Sequence, residues 1–163
     1  MHWFAICTKP HQEKQAELNI RQLGLECFLP LAKENRIIRR VRKIVISPVF
    51  PGYLFARFEP MEHYRAVKYA KGVRNIVEFG LSPAIVEDSL IESIRSRLHN
   101  GMLSLPNDSL LRGQVVRIER GPLEGLKAVF ERQLNGQQRV MLLLQAITYQ
   151  ARLVVPLKLL SNE

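Results

Sequence analysis

The densest chemistry in the sequence lies at residues 36–43, Arg-Ile-Ile-Arg-Arg-Val-Arg-Lys, which carry five cations and no acid. Five like charges repel one another, so their concentration needs an offsetting contact. A phosphate backbone supplies one through release of its condensed counterions. The bland alternative is a solvated β-hairpin whose basic residues guard its edges. Lys9, His11 and Lys14 form a second basic group at the start of a helical stretch. A helix N-terminus there would add its own pull on phosphate, though a solvated basic helix end fits equally well. Tyr53 and Phe55 are two apart and share one strand face. Exposed, they make an aromatic hot spot for a protein partner; buried, they are core.

Bond-making chemistry is poorly provided. His2, His11, His63 and His99 have no metal-ligand spacing, and Asp88 and Asp108, the only aspartates, form no paired-carboxylate pattern. No nucleophile elbow is present. Gly121–Gly125 is not followed by the Gly-Lys-Ser/Thr of a phosphate loop and reads as a turn. The expectation is a binding protein with no metal and no cofactor.

The elements that would position these residues follow from periodicity. His2–Thr8 is strongly apolar and reads as a buried strand. Pro10 suits a first helical turn, Ala16, Ile20 and Leu23 make an amphipathic stripe, and Gly24 stops the helix. Leu25–Pro30 reads as a strand and Lys33–Ile46 as a hairpin turning near Arg39–Arg40. Tyr53–Phe58 is a strand, Met61–Ala70 a helix ended by Gly72, and Val73–Phe79 a strand. A helix spans about Glu87 to His99. Residues 100–109 have no period and suit a linker. Beyond it Gln114–Glu119, Leu126–Leu134, Val140–Leu144 and Ala151–Val155 read as short strands, with Asn135-Gly136 as a hairpin turn. About 50 residues of this kind suggest a small antiparallel barrel.

The 163-residue chain has a net charge of +9 and 47% hydrophobic residues, so it can bury a core and favours polyanions. Its apolar runs, Val140–Leu144 and Leu153–Pro156 among them, fall far short of the roughly 20 residues that cross a bilayer. No signal-peptide pattern surrounds Trp3 and Phe4. Cys7 and Cys27 make no disulfide framework and read as reduced, buried thiols in a cytoplasmic protein.

Three blocks resemble the NusG family of transcription elongation factors. Val49-Phe50-Pro51-Gly52-Tyr53-Leu54-Phe55 resembles the signature strand of its N-terminal domain. Lys71-Gly72-Val73, followed by Val77-Glu78-Phe79-Gly80, is similar to that domain's next strand. Residues 113–125, Gly-Gln-Val-Val-Arg-Ile-Glu-Arg-Gly-Pro-Leu-Glu-Gly, look like a KOW motif. The three in this order cover nearly the whole chain. Ser82–Val86 and the Met141–Leu144 run look more like the specialised RfaH-type paralogues. Asn19 and Gln22 stand where those paralogues carry basic residues against the non-template strand.

The resemblance implies an α+β chain of two domains. Residues 1–100 would form a NusG N-terminal α/β sandwich, an antiparallel sheet with flanking helices. Residues 101–109 would be the linker, and 110–163 a KOW β-barrel. Phe50, Pro51, Tyr53 and Phe55 would dock on the clamp helices of the largest RNA polymerase subunit. Phe4 and Cys7 would line the same depression or else lie in the core. His63, Tyr64 and Arg65 would meet the gate loop of the opposite subunit; only the histidine agrees with RfaH. Lys9, His11, Lys14, Arg36, Arg39, Arg40, Arg42, Lys43, Lys71 and Arg74 would lie near nucleic acid, the non-template DNA strand. Ile118, Leu123 and Phe130 would contact the KOW partner, either Rho or a small-subunit ribosomal protein. The implied activity is antitermination by a monomer that holds the clamp closed and suppresses pausing. The alternative is an RNA-binding or ribosome-associated KOW protein. RfaH-type proteins can also store the C-terminal region as a helical hairpin over the docking face. Here that hairpin would use Leu126–Leu134 and Arg139–Ile147, but the β-branched residues continuing to the C-terminus favour the barrel.

Overall fold

The computed structural model describes residues 1–104, 115–117, 125–129 and 135–147. In chain order the elements are β1 (His2–Thr8), α1 (Glu13–Gln22), β2 (Glu26–Phe28), β3 (Leu31–Ile38), β4 (Val41–Pro48) and β5 (Tyr53–Phe58). Then follow α2 (Pro60–Lys68), β6 (Val73–Ile76), β7 (Glu78–Phe79), β8 (Ser82–Pro83), β9 (Ile85–Val86), α3 (Asp88–Arg95) and β10 (Met102–Ser104). The last are β11 (Val115–Arg117), β12 (Lys127–Val129) and a helix over residues 136–147, here α4. The architecture is α+β, with antiparallel sheets and flanking helices.

The central sheet has the order β2-β5-β1-β6, and β9 also pairs with β1 at Trp3 and Phe4. Successive residues of a strand face opposite ways, so β1 and β5 each feed two cores. Phe4, Ile6, Leu54, Ala56 and Phe58 pack with Ala16 and Ile20 of α1 and Val67 of α2. Trp3, Ala5 and Phe55 face the other way, into a cluster with Ala84, Val86 and Ile91. Leu143 and Ile147 of α4 belong to that second cluster. They are four residues apart and so stack on one helix face. At about 1.5–3 kcal/mol per fully buried aliphatic side chain, the pair contributes on the order of 3–6 kcal/mol, before entropy, to holding α4 down.

Gly72 joins the helical layer to the sheet. Its φ is 91°, and a Cβ there would come within 2.8 Å of the Ala16 backbone nitrogen. Only glycine allows both that conformation and that approach.

Several boundaries differ from expectation. α1 begins at Glu13, because His11 at φ 58° interrupts the helical backbone after Pro10. The strand expected over 73–79 is split at Val77, although its N–H still donates to Ala5 O at 2.9 Å. α3 ends at Arg95. Asn100 and Gly101, at φ 53° and 76°, make a tight turn closed by two bonds between His99 and Met102. The chain then enters β10, which pairs in parallel with Leu31–Lys33, so residues 102–104 of the expected linker are sheet.

The C-terminal residues divide. β11 and β12 pair antiparallel, in keeping with the expected first hairpin of a barrel and against a helix over 126–134. Residues 140–144, expected as a strand, are helical. The reason is a local cap together with a distant apolar face. Asn135 does not turn a hairpin; its Oδ1 accepts from the Gln138 N–H, and Gln138 Oε1 accepts from the Asn135 N–H, both at 2.9 Å. That reciprocal cap starts a helix of good helix formers, Met-Leu-Leu-Leu-Gln-Ala. The apolar sheet face then supplies the burial. The expected strand over residues 151–155 lies outside the described residues.

Candidate functional site

Register fixes the membership of the aromatic face. β1 and β5 set Trp3 opposite Arg57, Ala5 opposite Phe55, and Cys7 opposite Tyr53. Directly opposed residues share a face, so Trp3, Cys7, Tyr53 and Phe55 belong together. Phe4 opposes Ala56 and is buried on the other side with α1 and α2; it does not line this face. Phe28 stacks on Phe55 at a centroid distance of 6.0 Å, and Phe50 meets Phe55 edge-on at 6.0 Å. Arg95 of α3 lies over Trp3 at 5.2 Å and over Phe28 at 5.1 Å, its guanidinium bonded to Glu26 at 3.0 Å. Burial, with Cys7 beside it, pushes the Tyr53 hydroxyl above its ordinary pKa, so it stays protonated.

Sequence reasoning missed Trp3, Phe28 and Arg95. Trp3 was findable, since it lies at even spacing from Cys7. Phe28 needed the pairing of β2 with β5, which no local pattern reveals.

The expected exposed aromatic pair is covered. Phe55 is 0% exposed, beneath a cluster that includes α3 and α4, while Tyr53 is half-buried. The Val49–Gly52 segment beside it is held from three sides. Val49 N–H donates to Pro30 O at 2.9 Å, Gly52 N–H to Glu13 Oε1 at 2.9 Å, and Arg139 Nε of α4 to Val49 O at 2.7 Å. Burial lowers the Arg139 pKa.

His63, Tyr64 and Arg65 lie on α2, on the opposite side of the sheet from this face. Tyr64 donates to Glu78 and accepts from Lys68 Nζ at 3.3 Å; that bond raises the Lys68 pKa. The α2 patch is therefore separate from the aromatic face.

The expected nucleic-acid residues fall into two exposed groups. Arg36, Arg39, Arg40, Arg42 and Lys43 lie on the β3–β4 hairpin, whose turn is at Arg39–Arg40 as the sequence predicts. Lys9 N–H donates to Gly72 O at 2.8 Å, which brings Lys9 to the Lys71–Arg74 segment at one end of β1. His11, Lys14 and Arg36 also share a cleft of about 820 Å³ with Asn135, Gln137 and Arg139 of the α4 start. Ile118, Leu123 and Phe130 lie outside the described residues. Among the described residues no three His, Cys, Asp or Glu side chains group as a metal site, and no helix is long and apolar enough to cross a membrane.

Comparison with known proteins gives this arrangement a family. The structure "Domain interaction in Thermotoga maritima NusG" is similar in fold, with a TM-score of 0.52 and 21% identity, over 84% of this chain and 82% of that one. "Crystal Structure of MjSpt4:Spt5 complex conformation A" matches at TM-score 0.34 and 18% identity, over 83% and 80% of the two chains. The family model described as transcription termination factor nusG matches residues 1–95. That match spans more than half of the sequence, and the chain belongs to the NusG family, whose members are transcription factors and not enzymes.

Proposed function

We propose that this chain is an elongation and antitermination factor of the specialised RfaH type, acting as a cytoplasmic monomer. Its aromatic sheet face, Trp3, Phe28, Phe50, Tyr53 and Phe55, docks on the clamp helices of the largest polymerase subunit. The α2 patch of His63, Tyr64 and Arg65 meets the gate loop of the opposite subunit. Bridging the cleft holds the clamp closed and suppresses pausing. The basic hairpin lies along nucleic acid, the non-template strand included. The KOW region of residues 110–163 recruits Rho or a small-subunit ribosomal protein. None of these steps makes or breaks a bond; the work is differential binding.

The observation that carries the reading is a five-aromatic sheet face whose cluster is completed by Leu143 and Ile147 of α4. Such a cluster on a sheet flanked by separate elements is the composition of a hot spot. With α4 seated, the face is closed, so polymerase binds the fraction of molecules in which α4 has left. Apparent affinity is reduced by that fraction.

A pull-down with core polymerase tests docking. Tyr53→Ala, at a half-buried edge of the face, should weaken binding by about 1–3 kcal/mol with the circular dichroism unchanged. Phe55→Ala is unsuitable, because emptying so buried a site costs about 3–5 kcal/mol of fold stability. Wild-type affinity in a natively folded Tyr53→Ala protein would rule out this face as the dock. Pelleting with ribosomes but not polymerase would favour the ribosome-associated reading.

A further inference from the structure

We propose that the seam between α3 and α4 is a binding site for a single-chain alkyl carboxylate, a free medium-chain fatty acid, which fastens α4 over the aromatic face. The regulatory consequence rests on the reading above, in which α4 and polymerase exclude each other; the binding site itself does not.

The groove follows from two helix stripes. Leu90 and Ile94 are four apart on α3, and Leu142 and Ala146 are four apart on α4, so each pair lies along one face of its helix. Both stripes, with Phe50 between them in the lining, bound one groove of about 420 Å³. That lies within the roughly 300–1,000 Å³ of small-molecule sites, which are mostly apolar with a few polar groups. On α4 the adjacent Leu143 is buried in the second core cluster, whereas Leu142 stays 53% exposed. An apolar wall left in water gains with each methylene that a ligand lays against it.

Charge fixes the head group. The groove is lined by no Asp or Glu, and its two cations are Arg97 and Arg139. They are not equivalent. Arg139 is engaged, its Nε donating to Val49 O at 2.7 Å. Arg95, two residues before Arg97, is also engaged, paired with Glu26 and Glu92. The exposed Arg97 guanidinium has no hydrogen-bond or ion-pair partner among the described residues. A free guanidinium at the rim of an apolar trough fits a ligand with one carboxylate and one tail, because its fork takes both carboxylate oxygens. An amphiphile with a cationic head would meet two arginines instead.

The position of the groove couples the ligand to α4. One wall belongs to α3, which is fixed in the second core cluster through Ile91, and the other belongs to α4. The complete groove exists only while α4 is seated. A ligand that binds that state alone stabilises it by mass action; at about nine times its Kd it should lower apparent polymerase affinity about tenfold.

The test is a nuclear magnetic resonance titration of the full chain with decanoate, kept below its micellar concentration and followed at the amides of residues 90–98 and 139–146. Wild type should show saturable shifts in both segments. Octanoate, two methylenes shorter, should bind about fifteenfold more weakly, at about fourfold per methylene. Decyltrimethylammonium, with the same tail length and a cationic head, should bind at least about tenfold more weakly than decanoate. Arg97→Gln, at an exposed position outside both core clusters, should lose about tenfold in decanoate affinity and bind the cationic amphiphile no less tightly. Shifts that do not saturate by about 1 mM, equal binding of carboxylate and cation, or wild-type decanoate affinity in Arg97→Gln would each overturn the site. A core polymerase pull-down with and without saturating decanoate then reads the coupling. Decanoate should weaken polymerase binding by wild type and spare Arg97→Gln. Saturable decanoate binding with polymerase affinity unchanged would support the site and overturn the coupling. Absence of polymerase binding with or without decanoate would instead sink the docking reading, while the titration still decides the site.

Discussion

Gly136, in the first turn of α4, approaches Pro51 so closely that a Cβ on it would come within 2.6 Å of the proline Cγ. Its backbone is not in the left-handed region, so glycine is needed there for space and not for conformation. This makes Gly136→Ala an unusually discriminating change. Alanine should favour the isolated helix by about 1 kcal/mol. In the folded chain it should push α4 off the Val49–Gly52 segment. Polymerase affinity is expected to rise several-fold, and the amide signals of residues 136–147 should shift away from their docked positions. A variant that binds polymerase as wild type does, with α4 signals unmoved, would mean that the contact relaxes without consequence.

The cap of the same helix offers an independent lever. Asn135→Ala removes the side-chain bond to the Gln138 N–H. Loss of such a cap costs about 1 kcal/mol, which should lower the helicity of the full chain and raise polymerase binding in the same direction as Gly136→Ala. Tighter docking of α4 in this variant would contradict the assignment of the cap.

The turn of the basic ribbon should show a conflict between stability and binding. Replacing Arg39 and Arg40, both at positive φ, by Asn and Gly relieves a backbone strain of roughly 1–2 kcal/mol per residue. Thermal melts should move upward. The slope of log K against log salt should flatten by about 0.7–0.9 for each phosphate no longer neutralised. A rise in stability with binding undiminished would place the phosphate-binding cations elsewhere on the ribbon.

Alkaline pH should report on the core beneath α1. Burial, helped by Glu17, pushes the Cys27 thiol from an ordinary 9.0 up to about 12. The folded state therefore holds the proton more tightly than the unfolded state does. Its stabilising effect is complete below about pH 9 and is lost as pH rises towards 12, by about 1.4 kcal/mol per unit. Chemical denaturation of wild type and Cys27→Ala across that range should show the steeper fall in wild type. Parallel slopes would show that Cys27 is not the group responsible.

How far the sequence could be read depended on whether the deciding contact was local. β5 was legible to the residue because Tyr53–Phe58 lies between a Pro-Gly break and a helix-starting proline. The ribbon and its turn were legible from the run of charges. The two Asn-Gly pairs show the limit. Asn100-Gly101 forms a tight turn in a stretch read as linker, and Asn135-Gly136 caps a helix where a turn was expected. The dipeptide is the same; the residues downstream of it differ. After the second pair comes Gln138, which closes the cap, and then Leu143 and Ile147, which join an apolar cluster contributed by much earlier parts of the chain, Trp3 and Phe55 among them. Helix and strand propensities in 139–147 were close enough for that distant surface to decide. The aromatic face was half legible for the same reason. Tyr53 and Phe55 declared their shared side, whereas the parity that excludes Phe4 and admits Trp3 required the β1–β5 register.

If α4 and polymerase compete for one aromatic face, Leu143→Ser/Ile147→Ser tests that competition most directly. These two side chains anchor α4 in the second core cluster and leave the first cluster untouched. The measurement is the equilibrium affinity of core polymerase for the full-length variant against wild type, with nuclear magnetic resonance of the 1–100 amides to confirm that the sheet remains folded. Competition predicts at least about tenfold tighter binding by the variant, the release expected when helix anchors worth over 1.4 kcal/mol are removed. Equal or weaker binding by a variant whose α4 has demonstrably detached would contradict it.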